Sequence, residues 1–292
     1  MMTRGDQADN LRRMVREMRP HARVLAVTSG KGGVGKTNVA ANLAIALCRS
    51  HRQRVVLIDA DLGLANVDLM LGLQPQWNLS HVLSGERRLE DIVVQGPEGI
   101  EIVPGASGLS RLADLQDSQR RTLLEELSKL DHRADYCIID TGAGIGRTVV
   151  SMASSADECI VVTTPEPPSI ADAYAMLKII SRQPHRPQLR LLVNMVGSRQ
   201  EARRVYERIA GVAQKFLGLH VHDAGYVFCD GHVARAVRGR KPFVTAFPNS
   251  QAAWCMRQVA ERTAKPHAQD AAGEDAGRGF FKRVAGLFGA MT

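Results

Sequence analysis

Val24-Leu25-Ala26-Val27-Thr28-Ser29-Gly30-Lys31-Gly32-Gly33-Val34-Gly35-Lys36-Thr37-Asn38 decides the fold. It opens as a short apolar run of strand length. Residues 30–37 then fit G-x-x-x-x-G-K-[ST], and helical periodicity starts near Lys36. Strand, glycine-rich loop and helix in that order make a phosphate cradle. Gly30, Gly32, Gly33 and Gly35 let the loop, with Lys31 and Val34 between them, wrap so that its N–H groups point inward. The following helix N-terminus adds a favourable dipole. Lys36 is then placed to reach β- and γ-phosphates and Thr37 to ligate Mg²⁺, with Asn38 next in the first turn.

Outward from this stretch, apolar runs at 55–59, 136–140, 159–164 and 189–196 alternate with helical periodicity at 38–50, 119–130, 170–181, 201–217 and 251–264. Buried strands alternating with helices specify an α/β fold, a mostly parallel central sheet with helices on both faces. In such sheets ligands bind outside the carboxyl ends of the strands. Three acids sit at such ends: Asp59, Asp61 and Asp140. Asp140, closing an apolar strand, suits a Walker B role in the Mg²⁺ shell, whereas Asp59 serves either that shell or a cap. The chain has no N-K-x-D for guanine, which favours an adenine nucleotide. Asn194 either reads the adenine edge or caps a turn.

The 292 residues are 45% hydrophobic, enough for a buried core, and carry a formal charge of +8. That charge is uneven. Residues 1–23 hold six Arg against three acids and residues 278–292 hold three bases and no acid, leaving the rest close to neutral. A broad basic face for nucleic acid is therefore not expected. Five cysteines without a C-x-x-C pair argue against a disulfide framework, a zinc knuckle or an iron–sulfur site within one chain, and favour a reducing cytosol. No run of 18 apolar residues suggests a membrane span, and the N-terminus lacks a secretory h-region. The nine His are scattered, His220 and His222 included.

The extra lysine Lys31 marks a deviant Walker A motif. With IDADLGLANVDLMLG at 58–72 and the Asp140 segment, residues 23–263 resemble the MinD/ParA family of dimerising ATPases. The resemblance implies ATP and Mg²⁺ sandwiched between two subunits, with Lys31 reaching across to the partner's phosphates. It implies that Lys31, Lys36 and Asp61 are catalytic, Asp61 orienting the attacking water. Thr37, Asp59 and Asp140 would serve the metal, and Asn194 and Asp230 would lie in the adenine-contacting region. DTGAGIG at 140–146, the 155–180 segment and GYVFCDGHVARAVRGRKPF at 225–243 resemble the flagellar number-and-placement branch, FlhG/FleN, more than the septum-site branch.

The two ends look like partner segments around an ATPase domain at 23–264. Residues 1–22 contain DQADNLRRM at 6–14, which resembles the motif with which that branch stimulates the signal-recognition-type GTPase FlhF. Asp6, Gln7, Leu11 and Arg12 would make that contact, Gln7 offering its amide to orient water; a plain surface helix is the alternative. A linker is expected at 265–277. Residues 278–292 follow as an amphipathic helix with Phe280, Phe281, Val284, Leu287 and Phe288 on one arc and bases beside it, suited to lipid headgroups or to docking on the protein's own body. The resemblance thus implies an ATP-dependent homodimer, slow hydrolysis accelerated by a partner or the membrane, and peripheral attachment to the inner face of a bacterial cell membrane. Flagellar C-ring components or a transcriptional activator are further implied partners. A septum-site or DNA-partition ATPase is the competing expectation; the partition role needs a basic patch on the body.

Overall fold

Strands buried on both faces read as continuous Val, Ile and Leu runs, and these are the segments that pair in the computed structural model, which describes residues 22–61, 67–105, 125–265, 280 and 283. Arg23–Ser29 (β1), Val55–Ala60 (β2), Val94–Gln95 (β3), Glu101–Val103 (β4), Tyr136–Ala143 (β5), Glu158–Thr163 (β6), Gln188–Val196 (β7) and His222–Phe228 (β8) form one sheet. Its order is β3-β4-β2-β5-β1-β6-β7-β8. Every neighbouring pair is parallel except β3 with β4. β5 lies between β1 and β2, pairing Val27 with Asp140 on one side and Asp59 with Asp140 on the other. That register sets the phosphate loop and the acids side by side.

The five expected strands are present, with ends that coincide or shift by up to three residues. β3 and β4 are too short to give a periodic signal, and β8 (HDAGYVF) hides behind a polar start and Gly225 at φ +116°.

Helices Lys36–His51 (α1), Val67–Leu71 (α2), Leu79–Leu83 (α3), Leu89–Ile92 (α4), Arg147–Ser155 (α5), Pro167–Ile180 (α6), Arg199–Leu217 (α7), Gly231–Arg238 (α8), Phe243–Ala246 (α9) and Gln251–Ala264 (α10) complete the described chain. The expected helix at 119–130 is described only from 125, where 125–128 are helical and Lys129–His132 tighten to a 3₁₀ turn. α1 and α10 cover one face of the sheet, α5, α6 and α7 the other. On the first face Leu25, Leu43, Leu47 and Leu57 are fully buried, so truncating any of them to Ala costs about 2–5 kcal/mol.

At the amino ends of the strands lies a buried ionic cluster. Glu158, which starts β6, pairs with Arg23 of β1 and with Arg190 of β7 at 2.9 Å. The same two guanidinium groups donate to the last carbonyls of α10, Arg23 to Thr263 O at 3.3 Å and Arg190 to Arg262 O at 3.4 Å. Cations at a helix C-terminus satisfy carbonyls that the helix itself leaves open. Beside the cluster, Asp157 accepts from Val24 N at 2.8 Å.

Two residues of the C-terminal segment are described, and both sit against the body. Phe280 is 2% exposed within the core on the α5–α7 face. Arg283 donates to Ser155 O at 2.8 Å and pairs with Asp157 at 2.5 Å. Phe280 therefore does not lie on a solvent-facing arc in this structure: burying the ring against α5–α7 removes apolar area that would otherwise meet water. Phe281, Val284, Leu287 and Phe288 lie outside the described residues, as do Asp6, Gln7, Leu11 and Arg12 and the expected linker at 266–277. Among the described residues no helix is long and apolar enough to cross a membrane.

Candidate nucleotide site

β1 ends directly in the glycine-rich loop. Ser29 Oγ donates to Lys31 O at 2.8 Å, starting the turn, and Gly33 and Gly35 adopt φ of +81° and +86°, which side chains disfavour. Gly35 is the N-cap of α1. Two further glycine features come from close packing: a Cβ on Gly30 would lie 2.3 Å from the backbone carbonyl oxygen of Asp172 in α6, and one on Gly35 would lie 2.4 Å from Asn194 Nδ2. The loop is thus wedged between α6 and the end of β7.

Lys36 points into the carboxylates. Its Nζ is 2.8 Å from Asp140 Oδ1 and 3.6 Å from Asp61 Oδ2, and Lys36 is 6% exposed. Asp140 is fully buried, and its second oxygen, Oδ2, has no hydrogen-bond partner. Burial pushes the Asp140 carboxyl up, while the Lys36 ammonium and the Thr37 hydroxyl work in the opposite direction. A buried carboxylate oxygen beside a threonine hydroxyl at a phosphate loop is the donor set that a hydrated Mg²⁺ takes when nucleotide phosphates fill its other positions. The residues present therefore fit ATP with Mg²⁺; Thr37 and Asp140 would hold the metal and Lys36 would meet the phosphates.

Asp59 is 1% exposed, next to the last residue of β2. One oxygen accepts from Asp61 N and the other from Val67 N, each at 3.1 Å. These bonds hold the backbone that presents Asp61. Asn194 Nδ2 donates to Val34 O at 2.8 Å, clamping the phosphate loop, and leaves its second N–H and its oxygen for other partners. Asp230 is committed more fully. It caps α8 by accepting from His232 N at 2.9 Å, and its other oxygen accepts from Ala252 N of α10 at 3.1 Å. Burial works to raise the Asp230 carboxyl, but these bonds and the His232 ring hold it below the usual carboxylate value. In this structure its carboxylate caps α8 and ties it to α10.

Lys31 stands apart from this buried set. It is half-exposed and its Nζ meets the exposed Glu166 at 3.3 Å, the residue before α6. No motif marks Glu166 as a site residue; its one signal in the sequence is an acid standing before a Pro-Pro helix start. Asn42 is equally unmarked. It is completely buried in α1, donating to Asn38 O at 2.8 Å and accepting from Val244 N of α9 at 3.1 Å.

A family model described as an AAA domain matches residues 22–191. The antiactivator FleN of Pseudomonas aeruginosa is 42% identical over 239 residues, which is 82% of this chain and 85% of that protein. The chain belongs to the MinD/ParA family of P-loop ATPases. The flagellum site-determining protein YlxH of Helicobacter pylori is 36% identical, covering 82% of this chain and 81% of that one. Among solved structures, the septum site-determining protein MinD of Pyrococcus horikoshii, complexed with Mg-ADP, superposes with a TM-score of 0.69 at 25% identity, covering 84% of this chain and 96% of that one. The MinD/ParA architecture accounts for the insertion of β5 between β1 and β2, which brings Asp140 beneath the phosphate loop of this family.

Proposed function

We propose that this protein is an ATP-hydrolysing switch that regulates the number or placement of flagella, cycling between a monomer and an ATP-bound, membrane-attached homodimer. The observation that carries the flagellar reading is the similarity to FleN and YlxH over four fifths of the chain, at 42% and 36% identity. Hydrolysis serves to reset the switch.

The chemistry assigned to each residue follows from the site. Lys36 neutralises charge on the β- and γ-phosphates, and Asp61, at the rim, orients the attacking water. Lys31 acts across the dimer, as a trans-acting cation does on a transferring phosphoryl group. Its half-exposed pairing with Glu166 supports that reading, because an ion pair in water is worth little and is readily exchanged for a partner's phosphates. Leu69 in α2, Ile145 just after β5 and Met195 near the end of β7 are each 44–54% exposed. Large apolar side chains around a site mouth suit burial by a second copy.

Attachment to the membrane is assigned to the helix at 278–292, released from the body when ATP binds; the hold on Phe280 and Arg283 supports a docked resting state. A single short amphipathic helix binds lipid marginally, so two helices on one dimer bind much more firmly. The 1–22 segment is assigned to an FlhF-like GTPase, with Gln7 at its centre, and C-ring components or a flagellar transcriptional activator complete the partner set.

The test is deletion of the gene in its own bacterium, scored for flagella per cell and for septum position, with Asp61→Ala protein assayed beside it. Altered flagellar number with normal septa is the expected result, and minicells would move the protein to the septum-site role. Asp61→Ala should bind ATP and dimerise yet hydrolyse about 10²-fold or more slowly; normal turnover would remove Asp61 from the mechanism.

A further inference from the structure

Inside β7 the chain breaks two rules at one place. From Leu189 to Val196 every residue is buried except Met195, which is 44% exposed. Met195 also has φ of +58°, in the left-handed region that a side chain enters at a cost. Three other non-glycine residues among the described ones do so: Arg52 caps the end of α1, Arg240 follows the end of α8, and Glu98 sits in the 3₁₀ turn at Pro97–Gly99. Helix ends and turns are where such backbone is ordinary. Met195 holds it inside a strand.

The ladder to β8 shows what the irregularity does. Val193 pairs with Tyr226 and Val196 with Phe228, so Asn194 and Met195 together stand opposite the single residue Val227. Pairing with β6 has already ended, at Val193 with Thr163. A bulge of this kind re-aims the side chains that it carries. Asn194 turns in, 7% exposed, and donates to Val34 O at 2.8 Å. Met195 reaches the last glycine of the phosphate loop from the open side, its Cε 3.4 Å from the place that a Cβ on Gly35 would take. The bulge thus sets one polar group to hold the loop and one apolar group, open to water, beside it.

An exposed thioether on strained backbone gains nothing for the fold in itself. It offers a soft, polarizable face to a flat ring. The base of a nucleotide whose phosphates occupy residues 30–37 is such a ring, tethered to the loop by one ribose, and every base presents a π-face. We propose that Met195 is the base platform of the nucleotide site, its thioether packing on one face of the bound base while Asn194 holds the loop that takes the phosphates. Packing on a face supplies affinity without reading the edge of the base. Met195 therefore separates nucleotides from bare phosphates and leaves the choice of adenine to other groups. The inference rests on the reading of residues 30–37 as a nucleotide site. A second copy closing over the mouth would also meet Met195, so the test uses protein kept monomeric.

Calorimetric titration of the full chain in Mg²⁺, at concentrations where light scattering shows a monomer, compares ADP with pyrophosphate, which has no base. Glycine adopts a φ of +58° without strain, so Met195→Gly removes the side chain and keeps the bulge. It should weaken ADP binding about tenfold, hold pyrophosphate affinity within about twofold of wild type, and leave Tm unchanged or raised. Met195→Leu should keep ADP affinity within about threefold. In Met195→Trp the added fluorescence, measured against the two native tryptophans, should change with ADP and stay constant with pyrophosphate. Equal weakening of ADP and pyrophosphate by Met195→Gly would make Met195 a brace of the loop and overturn the proposal. Unchanged ADP affinity would overturn it too, leaving Met195 to the contact between copies. A wild-type chain that binds ADP no better than pyrophosphate would refute the platform and keep the phosphate loop; one that binds neither would refute the nucleotide site as well.

Discussion

Gly30→Ala isolates one demand of the site, the close approach of the phosphate loop to α6. The added Cβ would lie 2.3 Å from Asp172 O and 2.5 Å from its carbonyl carbon, where ordinary contact begins at 3.4 Å. About 1 Å of separation must be found between two pieces of backbone, neither of which can rotate away as a side chain would. Overpacking of this kind costs about 1–3 kcal/mol. Borne by the binding-competent loop geometry, that range weakens nucleotide affinity about 5- to 150-fold. The assay is titration with a fluorescent ADP analogue in Mg²⁺, with the apo-protein Tm measured alongside. Gly211→Ala, on the outer face of α7 with open space around its Cβ, is the control and should bind as wild type. A Gly30→Ala protein whose Kd stays within about twofold of wild type would refute the argument, because the loop would then have room that the packing denies it.

Three further outcomes follow from the same structure. Glu158→Gln removes the shared partner of two buried guanidinium groups and should cost about 3–5 kcal/mol, read as a fall in Tm of about 6–20 °C with nucleotide affinity unchanged. Lys31→Ala breaks only an exposed ion pair and should leave Tm within about 2 °C of wild type while ATP-dependent dimerisation or hydrolysis, followed by light scattering and phosphate release, is lost. With a thiol reagent at mild alkaline pH, Cys229 alone should react quickly. It is the exposed cysteine, whereas Cys137, Cys159 and Cys255 are buried and burial pushes the Cys159 thiol far up; fast reaction of two or more thiols would contradict this packing.

The sequence was informative where one physical cause dominates. Runs such as VVLID and YCIID must be buried strands because nothing else hides so many branched apolar side chains, and the glycine spacing of the loop admits few alternatives. Roles decided by competing partners were less legible. Asp59, Asn194 and Asp230 all stood at strand ends facing the site, yet backbone N–H groups claim both oxygens of Asp59 and Asp230, and a loop carbonyl claims the amide of Asn194. Which donor reaches a carboxylate first depends on loop paths that no periodicity reports. Phe280 shows the same limit for apolar groups, since one aromatic arc suits a bilayer and a protein core equally.

Asn42 ties together parts of the site far apart in the chain. Bonded on one side to Asn38 beside the phosphate loop and on the other to Val244, it joins α1 to the segment that follows Asp230 and α8. The phosphate loop and the segment after α8 are thereby locked to a common frame before any nucleotide arrives. Little ordering entropy then opposes nucleotide binding.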